Sequence, residues 1–104
     1  MAKKYRGELS SDADRDLDQL SDWISERSAS IRVALGYIDR IRTYLTSFQD
    51  FPHRGTKRDD LRAGLRLIGF ERRVTIAFSV EGDTVVIVRI FYAGRDVDVL
   101  ASEE

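Results

Sequence analysis

The sequence contains no cysteine, one proline, one histidine, and no apolar run that approaches the length of a membrane span. Without cysteine, the chain can form neither a disulfide framework nor a thiolate metal site. Lys3, Lys4 and Arg6 are basic, but no apolar segment follows them, which argues against a secretion signal. These absences favour a protein of the reducing cytoplasm that has no membrane partner.

The chain does have enough apolar material for a core. Hydrophobic residues make up 42% of its 104 residues, a fraction typical of folded proteins rather than disordered ones. A chain of this length forms one domain of ordinary size. We therefore predict a single domain that spans residues 1–104.

The net charge of −1 is unevenly distributed along the chain. Residues 51–73 carry seven basic and three acidic side chains, whereas residues 74–104 carry two basic and six acidic ones. The chain as a whole is therefore not a binder of polyanions, and only its middle segment is locally positive.

Hydrophobic periodicity divides the chain into two helices and four strands. Alternation of apolar and polar residues predicts strands over residues 4–9, 65–68, 73–80 and 85–92. Apolar residues at steps of three and four predict helices over residues 11–27 and 29–49. The order β-α-α-β-β-β is typical of an α+β fold, in which an antiparallel helical hairpin packs on a small, mainly antiparallel sheet.

The second helix has the longer apolar stripe, which comprises Ile31, Leu35, Ile38, Ile41, Leu45 and Phe48. We expect this stripe to cover one face of the sheet. Ser28 or Ser30 ends the first helix and caps the second. Pro52 terminates the second helix, because the residue before a proline avoids helical angles.

Neither the carboxylates nor the single histidine predicts a metal or cofactor site. Asp14, Asp18 and Asp22 recur every four residues on the first helix, but no histidine or cysteine joins them, so they indicate an exposed face. His53 follows the proline at the mouth of a loop, and an isolated histidine there is more typical of a solvated residue than of a functional one.

Five short motifs occur along the chain, and each is weak when taken alone. They are Leu9, Ser10, Ala13, Asp16 and Leu17; Ile38, Asp39, Arg40 and Ile41; Phe51, Pro52 and Gly55; Arg62, Gly64, Leu65 and Arg66; and Arg89, Ile90, Arg95 and Asp96. In this order and spacing, over almost the whole chain, they resemble the ParE-like branch of the ParE/RelE superfamily of bacterial toxins.

This resemblance implies both a function and partners. ParE-like proteins are toxins of type II toxin–antitoxin systems, and their assigned target is DNA gyrase, whose poisoning blocks replication. The resemblance therefore implies a gyrase inhibitor that needs no cofactor and forms a hetero-oligomer with a ParD-like antitoxin. Such an antitoxin has a ribbon-helix-helix half, and the pair would contact operator DNA only through it.

The RelE-like branch of the superfamily instead cuts mRNA on the ribosome, and this is the main alternative. A ribonuclease of that kind would use Arg66, Arg89, Tyr92 and Arg95 as its catalytic set. The near-neutral charge and the absence of lysine from the three strands predicted after the helices argue against it, since ribosome binding requires a basic protein. In the competing interpretation, Tyr92 packs its ring at the sheet edge and Arg89 pairs with an acidic neighbour.

The arginine-rich middle segment has three alternative interpretations. It is a solvated loop, a contact for the target, or a docking site for an acidic antitoxin. We predict that target binding uses Arg58, Arg62, Tyr92 and Arg95. We predict that antitoxin binding uses Trp23, Arg54, Arg66, Arg73, Val85, Ile87 and Phe91, the apolar ones through exposed surface. A non-toxic binding module of the same fold is a second alternative.

Overall fold

The computed structural model describes residues 4–92 and residue 100 of the chain. The elements are β1 (Arg6–Leu9), α1 (Ser11–Ser28), α2 (Ile31–Thr46), a 3₁₀ turn (Ser47–Gln49), β2 (Thr56–Lys57), β3 (Leu65–Phe70), β4 (Val74–Glu81) and β5 (Thr84–Tyr92). The strands form one sheet in the order β1-β5-β4-β3-β2. The β1–β5 pair is parallel and the other pairs are antiparallel. The predicted α+β class, with a helical hairpin on a mainly antiparallel sheet, is confirmed.

Serine side chains start both helices. Ser10 caps α1 and Ser30 caps α2, and each accepts a hydrogen bond from the amide three residues further on. Between the helices, Ala29 adopts the left-handed conformation with φ of 56°, which ends α1 and turns the chain. Of the two predicted capping positions, Ser30 is therefore the cap, while the hydroxyl of Ser28 donates back to the carbonyl of Ile24.

The main core lies between the helices and one face of the sheet. The helices contribute Ala13, Leu17, Leu20, Ile24, Ala34, Tyr37, Ile41 and Leu45, and these pack on Ile76, Phe78, Val85, Ile87 and Ile90. The first part of the predicted α2 stripe is wrong, because Ile31 and Leu35 remain 67% and 59% exposed. Each helical residue advances about 100°, so these two positions lie on the flank of the row formed by Ala34, Tyr37 and Ile41.

The opposite face of the sheet carries a second, smaller core. Its buried members are Leu61, Leu65, Ala77, Phe91 and Leu100. Leu61 comes from the segment before β3, and Leu100 follows the sheet strands, so both faces of the sheet centre are covered by the chain itself.

A bulge in β5 shifts the phase of that strand. Ala77 pairs with Arg89 and Phe78 pairs with Ile87, so Val88 is an extra residue on β5. As a result Ile87 and Ile90, which are three residues apart, both belong to the core beneath the helices.

The two-residue strand β2 is absent from the prediction, which placed its residues in a loop. It pairs with β3 through Thr56 opposite Leu67 and Lys57 opposite Arg66. The expectation that no strand after the helices contains a lysine is therefore wrong, because Lys57 of β2 lies at the sheet edge.

Candidate functional site

Tyr92 ends β5 and is buried rather than displayed. Its side chain is 4% exposed, and its ring centroid lies 5.4 Å from that of Trp23 on α1. The ring is packed, as the competing interpretation expects, but it lies in the core beneath the helices and not at the sheet edge. Its predicted contact with a target would therefore involve little of the phenol surface, and Arg95, predicted to act beside it, lies outside the described residues.

Arg89, next to the bulge, forms a partly buried ion pair with Asp16 of α1. Its Nε and Nη2 atoms donate to the two carboxylate oxygens at 2.8 Å and 3.3 Å. The backbone N–H of Ile90 donates to the same carboxylate at 2.8 Å. The interpretation in which Arg89 pairs with an acidic neighbour is confirmed, and that neighbour is Asp16.

Ser10 and Asp16 together continue the hydrogen bonding of β5 where β1 ends. The amide of Ser10 donates to the carbonyl of Ile87 at 2.9 Å, and its hydroxyl donates to the carbonyl of Val88 at 2.7 Å. The carboxylate of Asp16 then accepts from the amide of Ile90. Because an unpaired buried backbone group is costly, these two side chains stabilise a strand edge that lacks a strand partner.

The structure does not bring the predicted ribonuclease set together. Arg66 lies opposite Phe78 of β4, whereas Tyr92 lies opposite Val74, four residues away along the same strand. At roughly 3.3 Å per residue this separates the two rows by about 13 Å along β4. Arg89 is engaged by Asp16, so neither it nor Tyr92 joins Arg66 at one site.

Arg54 of the predicted antitoxin surface holds its own loop in place. Its guanidinium lies 4.6 Å from the ring centroid of Phe48 and donates to the hydroxyl and carbonyl oxygens of Ser47. These contacts fix the segment that follows the 3₁₀ turn. The side chain is half-exposed, and its guanidinium donors are used within the chain.

The two predicted target-binding arginines of the loop also have contacts within the chain. Arg58 forms two hydrogen bonds of 2.9 Å with the carboxylate of Asp60, and Arg62 is half-buried. The pKa of Asp60 lies below its ordinary value because of these hydrogen bonds. Asp59 accepts a hydrogen bond from the amide of Gly64, so the acidic residues that interrupt the basic segment shape its turn.

A small basic groove of about 210 Å³ lies where β2 meets β3. Lys57 and Arg66 are cross-strand neighbours in it, and His53 and Asp59 also line it. His53 is exposed, as the interpretation of a solvated loop residue expects, and its ring meets that of Tyr5 edge-on at 6.0 Å. Sequence reasoning missed this grouping because β2 was not predicted.

The expected exposure of the three apolar antitoxin-binding residues is wrong. Val85, Ile87 and Phe91 are 1%, 3% and 4% exposed, because both faces of β5 are covered. An antitoxin could reach them only by displacing part of the chain. Val85 and Ile87 belong to the core beneath the helices and Phe91 to the core on the opposite face, so their predicted role in binding requires a rearrangement of both cores.

Trp23 and Arg73, two further residues of the predicted antitoxin surface, line a single groove at the other end of the helices. Arg40 and Glu71 join them there through two hydrogen bonds of 2.9 Å. These hydrogen bonds lower the pKa of Glu71 and raise that of Arg40. Among the residues predicted to bind the antitoxin, Trp23 and Arg73 therefore lie in one groove. Arg54 and Arg66 lie together elsewhere, beside β2, where Arg66 donates to the carbonyl of Arg54.

Two further properties bear on the kind of site this chain can hold. Within residues 4–92 and residue 100, no three histidine, cysteine, aspartate or glutamate side chains are grouped so that they could hold a metal ion. Over the same residues, neither helix has the length and apolar character needed to cross a membrane.

Comparison with solved structures identifies two similar folds. A chain of the chromosomal ParDE toxin–antitoxin system from P. aeruginosa superimposes with a TM-score of 0.74 at 23% identity, over 86% of this chain and 97% of that chain. A chain of the RelBE2 toxin–antitoxin complex from Mycobacterium tuberculosis superimposes with a TM-score of 0.62 at 18% identity, over 91% of this chain and 98% of that one.

Comparison of the sequence places it in a family. None of the curated protein sequences is significantly similar to the chain. The model of the ParE toxin of type II toxin–antitoxin systems, parDE, matches residues 8–97, which include all five motifs of the sequence. The chain therefore belongs to the ParE toxin family of type II toxin–antitoxin systems.

Proposed function

We propose that this toxin inhibits DNA gyrase by binding it, and that a ParD-like antitoxin neutralises the toxin. The observation that carries the first part is the separation of the candidate catalytic residues. Arg89 is held by Asp16 and Tyr92 is packed under Trp23, about 13 Å along the sheet from the row of Arg66. Because these side chains are held by contacts within the chain, we propose that the toxin acts by binding a surface of its target.

The proposed contact with gyrase uses the basic loop and the end of the last strand. Arg58 and Arg62 belong to the locally positive segment, and Tyr92 with Arg95 lies at the end of β5. This assignment rests on the charge of the segment and on the family. We propose that the toxin acts in the cytoplasm, where gyrase and the operator of the toxin–antitoxin pair are found.

The proposed contact with the antitoxin uses an edge of the sheet. β1 is an edge strand, and all four of its residues are exposed. An exposed edge strand is a template for an extended segment of a partner, which would add a strand through backbone hydrogen bonds. The ribbon-helix-helix half of such an antitoxin would remain available for operator DNA.

The test of the gyrase proposal is a supercoiling assay with purified gyrase and added toxin. We expect loss of supercoiling and accumulation of cleaved DNA, both reversed by the antitoxin. The control is a translation reaction that contains a reporter mRNA, in which we expect the message to stay intact. Normal supercoiling at toxin concentrations that stop growth would overturn the proposal.

A second candidate function, ribosome-dependent mRNA cleavage, is favoured by one observation. The groove beside β2 places Lys57, Arg66 and His53 together, and these side chains could hold a phosphate. If the message is cut in the translation control, Lys57→Gln should abolish cleavage, whereas Lys4→Gln at an exposed position before β1 should leave it unchanged.

A further inference from the structure

The groove that contains Trp23 lies where the end of α1, the start of α2 and the β3–β4 turn meet. It encloses about 380 Å³. Its apolar part is formed by Trp23, Tyr37 and Val33, and Val33 remains 52% exposed. Its charged part includes Arg27, Arg40 and Arg73.

The groove has an excess of positive charge. Glu71 is the acidic residue that lines it, and Glu71 is already bound to Arg40. Arg27 lies 4.8 Å from the ring centroid of Trp23, and neither Arg27 nor Arg73 has an ion-pair partner among the residues that the structure describes. Two guanidinium groups therefore line the groove without a carboxylate partner among the described residues.

Tyr37 adds an unsatisfied donor at the same place. Its side chain is 8% exposed, and within the described part of the chain its hydroxyl has no hydrogen-bond partner. The pKa of this hydroxyl is raised, first by burial and then by the negative charge of Glu71, so the group keeps its proton and remains a donor. Buried polar groups are normally satisfied, so this hydroxyl is a donor that an added acceptor would stabilise.

We propose that this groove binds a carboxylate side chain, flanked by an apolar one, from a segment of the antitoxin. The carboxylate lies between Arg27 and Arg73, and the apolar side chain lies on Trp23 and Val33. Rearrangement around Tyr37 then gives its hydroxyl an acceptor. This inference rests on the proposed neutralisation by an antitoxin and adds the groove and the chemistry of the bound segment.

The surroundings favour a protein carboxylate over a nucleic-acid backbone. α1 carries Asp22 and Glu26 within one or two turns of Arg27, and Glu71 lies in the groove itself. These carboxylates would repel a long polyanion, whereas a single side chain can avoid them. The exposed valine and the indole ring also suit an apolar neighbour, which a phosphate backbone lacks.

The first experiment uses the fluorescence of Trp23, the single tryptophan of the chain. The probes are two acetylated and amidated tetrapeptides, one of alternating leucine and glutamate and one of alternating leucine and glutamine. We expect a saturable change with the glutamate peptide, at least fivefold weaker binding of the glutamine peptide, and weakening with added salt. Equal binding of both peptides, or no response to either at millimolar concentration, would overturn the proposal.

Two double variants test whether the glutamate peptide binds in this groove. Arg27→Gln combined with Arg73→Gln should weaken the glutamate peptide about tenfold, as expected for the loss of two partly exposed charge contacts. The matched control is Arg42→Gln combined with Arg15→Gln, which removes the same charge at exposed positions outside the groove and should leave the affinity unchanged. Equal weakening by both pairs would show a general charge effect and contradict the site.

A pull-down with the ParD-like antitoxin separates failure of this inference from failure of the proposed function. If the wild-type toxin and both double variants bind the antitoxin with equal affinity, the groove is not its site, while neutralisation by an antitoxin stands. If the wild-type toxin binds no antitoxin, the proposed function fails. Weaker binding of the groove variant alone is the result that we expect.

Discussion

At the scale of the residue, Gly55 shows how one position can be restricted to glycine. Its φ is 77°, and a Cβ built there would lie 2.4 Å from the carbonyl oxygen of Leu67. We expect Gly55→Ala to lower the free energy of unfolding by about 2 kcal/mol or more, because it combines a left-handed backbone with a contact on an inflexible group. Urea denaturation measures the change.

The matched control for this change is Gly36→Ala, which lies within α2. A Cβ at Gly36 would meet nothing within 4 Å. Alanine should therefore stabilise the helix by roughly 0.5–1 kcal/mol, so the two substitutions should have opposite signs. If both shifted stability in the same direction, the assignment of strain to Gly55 would be wrong.

Asp16 is the second residue whose neighbours fix its identity. Its carboxylate receives hydrogen bonds from Arg89 and from the amide of Ile90, and its side chain is only 9% exposed. Asp16→Asn removes the negative charge that accepts from both Arg89 and the amide of Ile90, so we expect the free energy of unfolding to fall by about 2–4 kcal/mol. The control Asp12→Asn, which breaks an exposed pair with Arg15, should cost about 0.5 kcal/mol or less.

At the scale of the element, the start of α1 and the edge of β5 depend on one serine. Ser10 caps α1 and also donates its hydroxyl to the carbonyl of Val88, whereas Ser30 caps α2 at an exposed position. We expect Ser30→Ala to cost about 1 kcal/mol and Ser10→Ala to cost about 1 kcal/mol more. Hydrogen exchange at β5 should rise only in Ser10→Ala, and equal protection in both variants would contradict the double role.

Local sequence patterns predict where the helices and the longer strands lie, but they do not predict which residues of each element are buried. The apolar steps locate α1 and α2 because helical spacing is a local property. The same steps select Ile31 and Leu35 for the core, although both lie on the flank of the helix rather than on its buried row. Strand β2 escapes prediction because two residues carry no periodicity, and its position is set by pairing with β3.

The candidate site is less predictable than the fold for the same reason. Asp16 and Arg89 are motif residues, yet their contact joins positions 73 residues apart, which no local spacing reveals. The burial of Val85, Ile87 and Phe91 depends on two separate cores that form only in the folded sheet. The strong apolar character of β5 was compatible with an exposed docking face as well as with a central strand, and the order of the strands decides between them.

At the scale of the whole molecule, the hairpin of helices is joined to the sheet by the Arg40–Glu71 pair. Because the pKa of Glu71 is lowered on folding, its contribution is present above its unfolded value near 4.5 and is lost as the pH falls through the folded value. We expect Glu71→Gln to reduce stability at neutral pH and to match the wild type in strong acid. A series of urea unfolding curves over pH tests this.

The control for the pH series is Glu26→Gln, at an exposed position of α1 with no ion pair among the described contacts. It should displace the curve little at any pH. A constant difference between the wild type and Glu71→Gln over the whole series would mean that the ion pair is not the cause.

The parallel pairing of β1 with β5 makes the first strand depend on the last. Arg6 pairs with Thr84, so β1 has no strand to join until β5 has been synthesised, and α1 likewise awaits Arg89. Domains are completed late during synthesis when they rely on such distant contacts. A nascent or prematurely terminated chain that lacks β5 therefore has no partner for β1 or for Asp16, and it cannot complete the native sheet.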